Sequence, residues 1–354
     1  MLNSELPNTP GKFVSMWREK GPVDEETLNG WKQELQIDSW IMIAEASLFL
    51  DAAELFEILN EKLTPAEKAT IGLVRRRMLG DNMLEQAIDD AIEIAKNPET
   101  RDLKLEGRLR MERGLSRFEN GDVDGAKDDL EWAELRLKSV AKASRDHDLS
   151  LLNKAAFLMV TGAPIMALHV YSEITRDGEH AHETIAISRI GASRIRASIG
   201  HMFDAARHAW NAHAHAIKAL QTNMAIEAGT LFIELSLEHI SEDAERMQVQ
   251  VEEAKPRNAE DQEPLLSVNP SDINGVFNWC KENLPDSNSG EHRPDLRAMV
   301  SIARNLNKLD VFTELFEEPD AVEDATLAAM IQVCLEDEEH TKKWGERLSV
   351  LTLI

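Results

Sequence analysis

The sequence predicts an all-α protein built of αα-hairpin repeats stacked as a solenoid, and three observations carry that prediction. Apolar residues recur at helical spacing: Ile71, Val74 and Met78 share one face of residues 65–79, and Ala87, Ile88, Ala91, Ile94 and Ala95 share one face of 84–95. Gly80, Gly121, Gly162 and Gly200 each close a helix, because a left-handed residue ends the hydrogen-bond ladder there. Ala87, Ala126, Ala167 and Ala205 follow those turns at steps of 39, 41 and 38 residues, and their small side chains let paired backbones approach closely.

Each element follows from the same rules. Residues 13–19 and 25–35 form a short N-terminal cap. Residues 38–49, with Trp40, Ile43, Ala44, Ala46 and Ser47 inward, pair with 52–62, whose inward residues are Leu55, Phe56, Ile58 and Leu59. Four hairpins succeed them, at 65–79 with 84–95, 105–119 with 123–137, 149–160 with 164–175, and 184–199 with 202–220. Pro164 suits a first helical turn, where its missing N–H has no partner to lose. A further step of 39 reaches Ala244 and puts His239 in the glycine slot. Residues 251–270 are polar and read as a linker or loop, and Asp286 to Arg293 is a second polar break. Helices resume at 272–283, 294–306, 309–316, 321–336 and 341–351. The expected organisation is a helical cap over 1–64, a repeat array over 65–250, a linker over 251–270 and a C-terminal helical region over 271–354.

The run Gly114, Phe118, Gly121-Asp122, Ala126, Leu130 and Ala133 resembles the tetratricopeptide-repeat family. Ala167, Tyr171 and Ile174, then Ala205, Ala209 and Ala212, occupy similar slots. The resemblance covers roughly residues 65–250. It departs from the family in its period, near 39 to 41 instead of about 34, and in lacking a Trp near the start of the first helices. Only Asn97-Pro98 is similar to the family's closing proline. The resemblance implies a superhelix whose first helices line a concave groove that holds extended peptides.

Composition bounds the function. The 354 residues carry 39 basic and 64 acidic side chains, a formal charge of −25, which opposes nucleic acid and anionic membranes. That charge is uneven: residues 61–218 carry −1, 1–60 carry −7 and 219–354 carry −17. No run of 18 uncharged apolar residues occurs, and Met1 to Lys20 holds no apolar stretch of signal-peptide length, so a cytoplasmic protein is expected. Cys280 and Cys334 lack metal-site spacing and read as small hydrophobes of a reduced protein.

Phosphate loops, G-x-S-x-G elbows and HExxH motifs are absent from the sequence, so a non-enzyme without cofactor, catalytic residue or metal is expected. Seven of eleven histidines fall between His169 and His215. His201, His208 and His215 repeat every seven residues, which sets successive rings about 10 Å apart, too far for one ion, and they read as packing between repeats beside Ala205, Ala209, Ala212 and Ala216. The acidic clusters 314–324 and 336–339 read as solvated faces.

Arginines point to the ligand. Arg110, Arg113 and Arg117 lie at i, i+3 and i+7, opposite Gly107, Met111, Gly114, Leu115 and Phe118. Arg76 and Arg77 point away from the Ile71 face, and Arg189 and Arg196 share a stripe. Guanidinium forks suit carboxylates and phosphates. The expectation is a scaffold that holds a protein or peptide partner, in particular an acidic or phosphorylated segment, in an arginine-lined groove. Alternatives are a nucleic-acid or nucleotide-phosphate binder using the same arginines, and a regulatory subunit of an enzyme. Pairing of these arginines with Glu106, Glu112 and Asp128 as ordinary surface charges is the other possibility.

Overall fold

The computed structural model describes residues 9–80, 84–175, 179–242, 270–285, 290–306, 308–317 and 321–336. Among the described residues there are seventeen α-helices, one 3₁₀ helix and no strand. The expected all-α fold of αα-hairpin repeats is what the chain adopts. It divides into two compact units, residues 1–157 and 158–354. Ala244, most of the expected 251–270 linker and the 341–351 helix lie outside the described residues.

The first unit holds α1 (Thr9–Lys20), α2 (Glu25–Glu34), α3 (Trp40–Phe49), α4 (Ala53–Lys62), α5 (Pro65–Met78), α6 (Leu84–Ala95), α7 (Leu103–Glu119), α8 (Val123–Val140) and most of α9 (Arg145–Val160). Their starts are written in short polar side chains. Asp24 accepts from the Thr27 N–H, Asp102 from those of Lys104 and Leu105, and Asp122 from that of Gly125. Thr64 and Glu67 close a reciprocal capping box with Pro65 at the first helical position.

One core runs from Phe13 and Trp17 through Ile43, Leu55, Leu59 and Ile88 to Leu109. Phe13 meets Trp31 edge-on at 5.6 Å and Trp40 at 6.3 Å. The N-terminal helices are therefore continuous in packing with the first repeats. Ile58 of α4, expected inward, is exposed, and two further inward faces differ from expectation. In α5 the buried residues are Ala66, Thr70, Ile71 and Leu73, while Met78 is 52 % exposed. In α6 Ile92 is buried and Ile94 is exposed. Each helix turns inward by about one residue from the expected stripe, because it meets neighbours on two sides and a single apolar stripe records only one of them.

The α7–α8 hairpin is the tightest feature of this unit. A Cβ on Gly107 would lie 2.8 Å from Leu137 Cγ, and one on Gly114 3.0 Å from Leu130 Cγ and 3.2 Å from the Ala126 carbonyl oxygen. Ala126, Leu130, Ala133 and Leu137 are fully buried beneath them. The connecting turn is a two-bond helix stop: the Gly121 N–H reaches the Phe118 carbonyl, the Asp122 N–H reaches that of Arg117, and Gly121 takes φ +86°.

The second unit holds α10 (Pro164–Glu173), α11 (His182–Ser198), α12 (Met202–Lys218), α13 (Thr222–Glu242), α14 (Pro270–Glu282), α15 (Pro294–Asn305), a 3₁₀ turn (Leu309–Phe312), α16 (Thr313–Glu317) and α17 (Ala325–Glu336). Ala205, Ala209, Ala212 and Ala216 of α12 are fully buried, as the repeat spacing requires. α13 does not turn at His239 but runs on to Glu242; with no glycine at that slot, nothing stops the helix. Ala205, Phe232 and Ile233 share one core with Phe277, Leu296, Met299 and Ile331, so the C-terminal helices pack on α12 and α13.

Candidate functional site

The arginines of α7 come together on a buried carboxylate. Asp129, nearly two turns into α8 and 3 % exposed at its side chain, lies opposite Arg113 because Gly114 and Ala126 bring the two helices close. Arg113 forks onto it, with Nε to Oδ2 and Nη2 to Oδ1 both at 2.7 Å, and its Nη1 reaches Asp89 of α6 at 2.8 Å. Hydrogen bonding to Asp129 raises the Arg113 guanidinium above its ordinary range; burial opposes this, and Asp89 adds to it. Arg117 Nη1 donates to Asp129 Oδ2 at 2.8 Å, and its Nε stands 3.8 Å from Asp122 and 4.0 Å from Glu85. Arg110 is held more loosely, 3.6 Å from Asp129 and 3.4 Å from Glu106.

These arginines thus form a half-buried network across α6, α7 and α8, where the sequence suggested an open stripe. Asp129 is the residue that sequence reasoning missed. It sits in the resembling motif, but its role depends on the tertiary approach of two helices.

Beside the network lies a ledge the sequence also left unread. The Arg110 guanidinium stacks 4.1 Å from the Trp132 ring centroid and that of Arg136 lies at 5.0 Å. Asp129, Trp132 and Arg136 follow one another at i, i+3 and i+7 along α8, the spacing that would have found them. Among the described residues Arg136 makes no ion pair, and its Nε is buried without a hydrogen-bond acceptor.

The other candidate arginines are placed elsewhere. Arg77 bridges from α5 to Glu112 of α7 at 2.5 Å, and Arg76 is exposed in the last turn of α5. Arg189 and Arg196 belong to the second unit. Arg189 is buried and donates to the Ile174 carbonyl at 3.0 Å, which closes the end of α10 and takes it off the surface. Arg196 Nη1 lies 3.1 Å from His201 Nδ1 across the α11–α12 turn.

Of the histidines expected to pack between repeats, His215 is buried, as is His213, whereas His208 is half-buried and His201 is exposed. His213 is buried, its Nδ1 2.7 Å from the Ala225 carbonyl, with its ring edge-on to Trp279 at 4.9 Å. Burial pulls its titration below the ordinary value, partly offset by that hydrogen bond. His215 meets His182 with the two Nδ1 atoms 3.0 Å apart. Among the described residues no three metal-ligating side chains converge. Cys280 is buried, its thiol pushed up to about 12 by desolvation, and no described helix is long and apolar enough to cross a membrane.

No family model matches the sequence, and no curated protein matches it. Among solved structures the chain is similar to the crystal structure of a Rap protein complexed with competence and sporulation factor, at 12 % identity over 98 % of this chain and 97 % of that one, with a TM-score of 0.42.

Proposed function

We propose that the protein is a non-enzymatic scaffold that binds a peptide or protein segment on the α7–α8 face of its first unit, and that the segment carries carboxylate or phosphate groups. One observation supports this above the rest: four guanidiniums, of Arg110, Arg113, Arg117 and Arg136, gather there, and the carboxylates of the fold satisfy them unequally. Arg113 is saturated and structural. Arg110 and Arg136 retain donors for a ligand, and Trp132 offers an aromatic surface between helices.

The test compares retention of a peptide library containing acidic, phosphorylated and neutral members on immobilised wild type and on Arg136→Glu. Among the described residues Arg136 holds no ion pair, so its reversal breaks no salt bridge, and the melting temperatures of the two proteins are compared. Wild type is expected to retain acidic and phosphorylated peptides and the variant to lose them. Identical retention by the two proteins would refute the assignment.

A further inference from the structure

We infer that the Arg110–Trp132–Arg136 ledge is a subsite for a phosphomonoester, the side chain of a phosphorylated residue in the bound segment; this rests on the scaffold reading above and deepens it. Charge accounting within the network leads there. Asp129 is already met by Arg113 and Arg117 at 2.7 and 2.8 Å, and Glu106 has Arg101 at 3.6 Å besides Arg110. Arg110 can therefore turn its Nη1 from Asp129 to a ligand while its Nη2 stays on Glu106, which is buried and, among the described residues, has no other hydrogen-bond donor. Among the described residues Arg136 has no carboxylate to leave, and its guanidinium lies on the Trp132 ring. Two cations with donors to spare thus meet at one ring.

Charge favours phosphate over carboxylate. The two guanidinium carbons lie 4.1 and 5.0 Å from the same ring centroid, so they stand within about 9 Å of each other, a span that one tetrahedral anion bridges with charge-assisted bonds of about 2.8 Å on either side. A carboxylate brings two oxygens and a single charge, and Asp129 shares that charge between Arg113 and Arg117. A phosphomonoester presents three terminal oxygens and about −1.5 to −2 charges at pH 7, matching both cations at once. Arg113 and Asp129 act as positioning residues, holding α7 against α8 so that Arg110 and Arg136 both reach the ring.

The probes are N-acetyl-O-phosphoserine amide, N-acetylglutamate amide and inorganic phosphate, titrated into the full chain while the Trp132 indole N–H resonance is followed. At pH 7.5 the phosphoserine probe is expected to bind about tenfold more tightly than the glutamate probe and to weaken several-fold at pH 5, where its second proton returns. Arg110→Gln and Arg136→Gln should each weaken it about tenfold, Arg136→Lys less, and Arg194→Gln in the second unit not at all, with melting temperatures of all variants compared to exclude misfolding. Inorganic phosphate binding as well as the phosphoserine probe, with the same loss in the two Gln variants, supports the phosphate subsite and shows that the backbone adds nothing. Equal binding of phosphoserine and glutamate probes would overturn phosphate selectivity while leaving the acidic-segment scaffold standing. Absence of binding, or binding indifferent to both Gln substitutions, would overturn the subsite itself; the scaffold reading is then decided separately by the Arg136→Glu peptide retention.

Discussion

A single buried carboxylate organises the charged face of the first unit. Asp129 accepts from Arg113 and Arg117 and draws Arg110, so replacing it by Asn removes the charge that three guanidiniums share in a half-buried place. Breaking such a pair from one side costs about 3 kcal/mol, and Asp129→Asn is expected to lower the urea midpoint accordingly. A second carboxylate does comparable work in the other unit. Asp324 is fully buried, takes two guanidinium nitrogens of Arg297, and caps α17 by accepting from the N–H groups of Thr326 and Leu327. Burial by itself would raise its titration. The Arg297 hydrogen bonds and the N–H groups of Leu327 and Arg293 outweigh it, holding the carboxyl at about 2 against an ordinary 3.8. A depressed folded value means that the contribution is complete above about pH 4 and is lost as pH falls toward 2, a span of on the order of 2 kcal/mol. Urea titrations at pH 5, 3.5 and 2.5 should show that loss in wild type and a flatter profile in Asp324→Asn.

At the scale of helices, what the sequence made legible was what local chemistry writes. Gly80, Gly121, Gly162 and Gly200 all stand at φ between 67° and 86°, as their role as helix stops demands. Gly121→Ala is expected to cost about 1 kcal/mol by forcing a side chain into the left-handed region. The same two-bond stop is made by Gln36, Asp51 and Leu220, at φ 53°, 55° and 57°, and none of these was readable because no glycine marks them. Leu220 is also 68 % exposed, so it bears backbone strain without a burial gain. Leu220→Gly should therefore raise the melting temperature, by an amount corresponding to about 1 kcal/mol; an unchanged or lower value would mean that Leu220 packs in a way its exposure does not show. The arginine spacing on α7 was legible, but its meaning was not. Asp129 lies sixteen residues from Arg113 in sequence, and only the close approach at Gly114 joins them.

Over the whole molecule, charge and packing divide differently from the expected segments. The near-neutral stretch 61–218 spans both compact units, and the strongly acidic residues 219–354 include helices that close the core of the second. Phe232, Ile233 and Leu235 of α13 are covered by Phe277, Met299 and Ile331. A chain ending at residue 242 is thus expected to lose the cooperative melting of α12 and α13, as followed by far-ultraviolet circular dichroism. The central claim, that ligand recognition belongs to the α7–α8 hairpin of the first unit, is tested most directly by hydrogen–deuterium exchange of the full chain with and without a retained acidic or phosphorylated peptide. Slowed exchange concentrated in residues 103–140, and abolished by Arg136→Glu, is the predicted result; protection confined to residues outside that hairpin would contradict it.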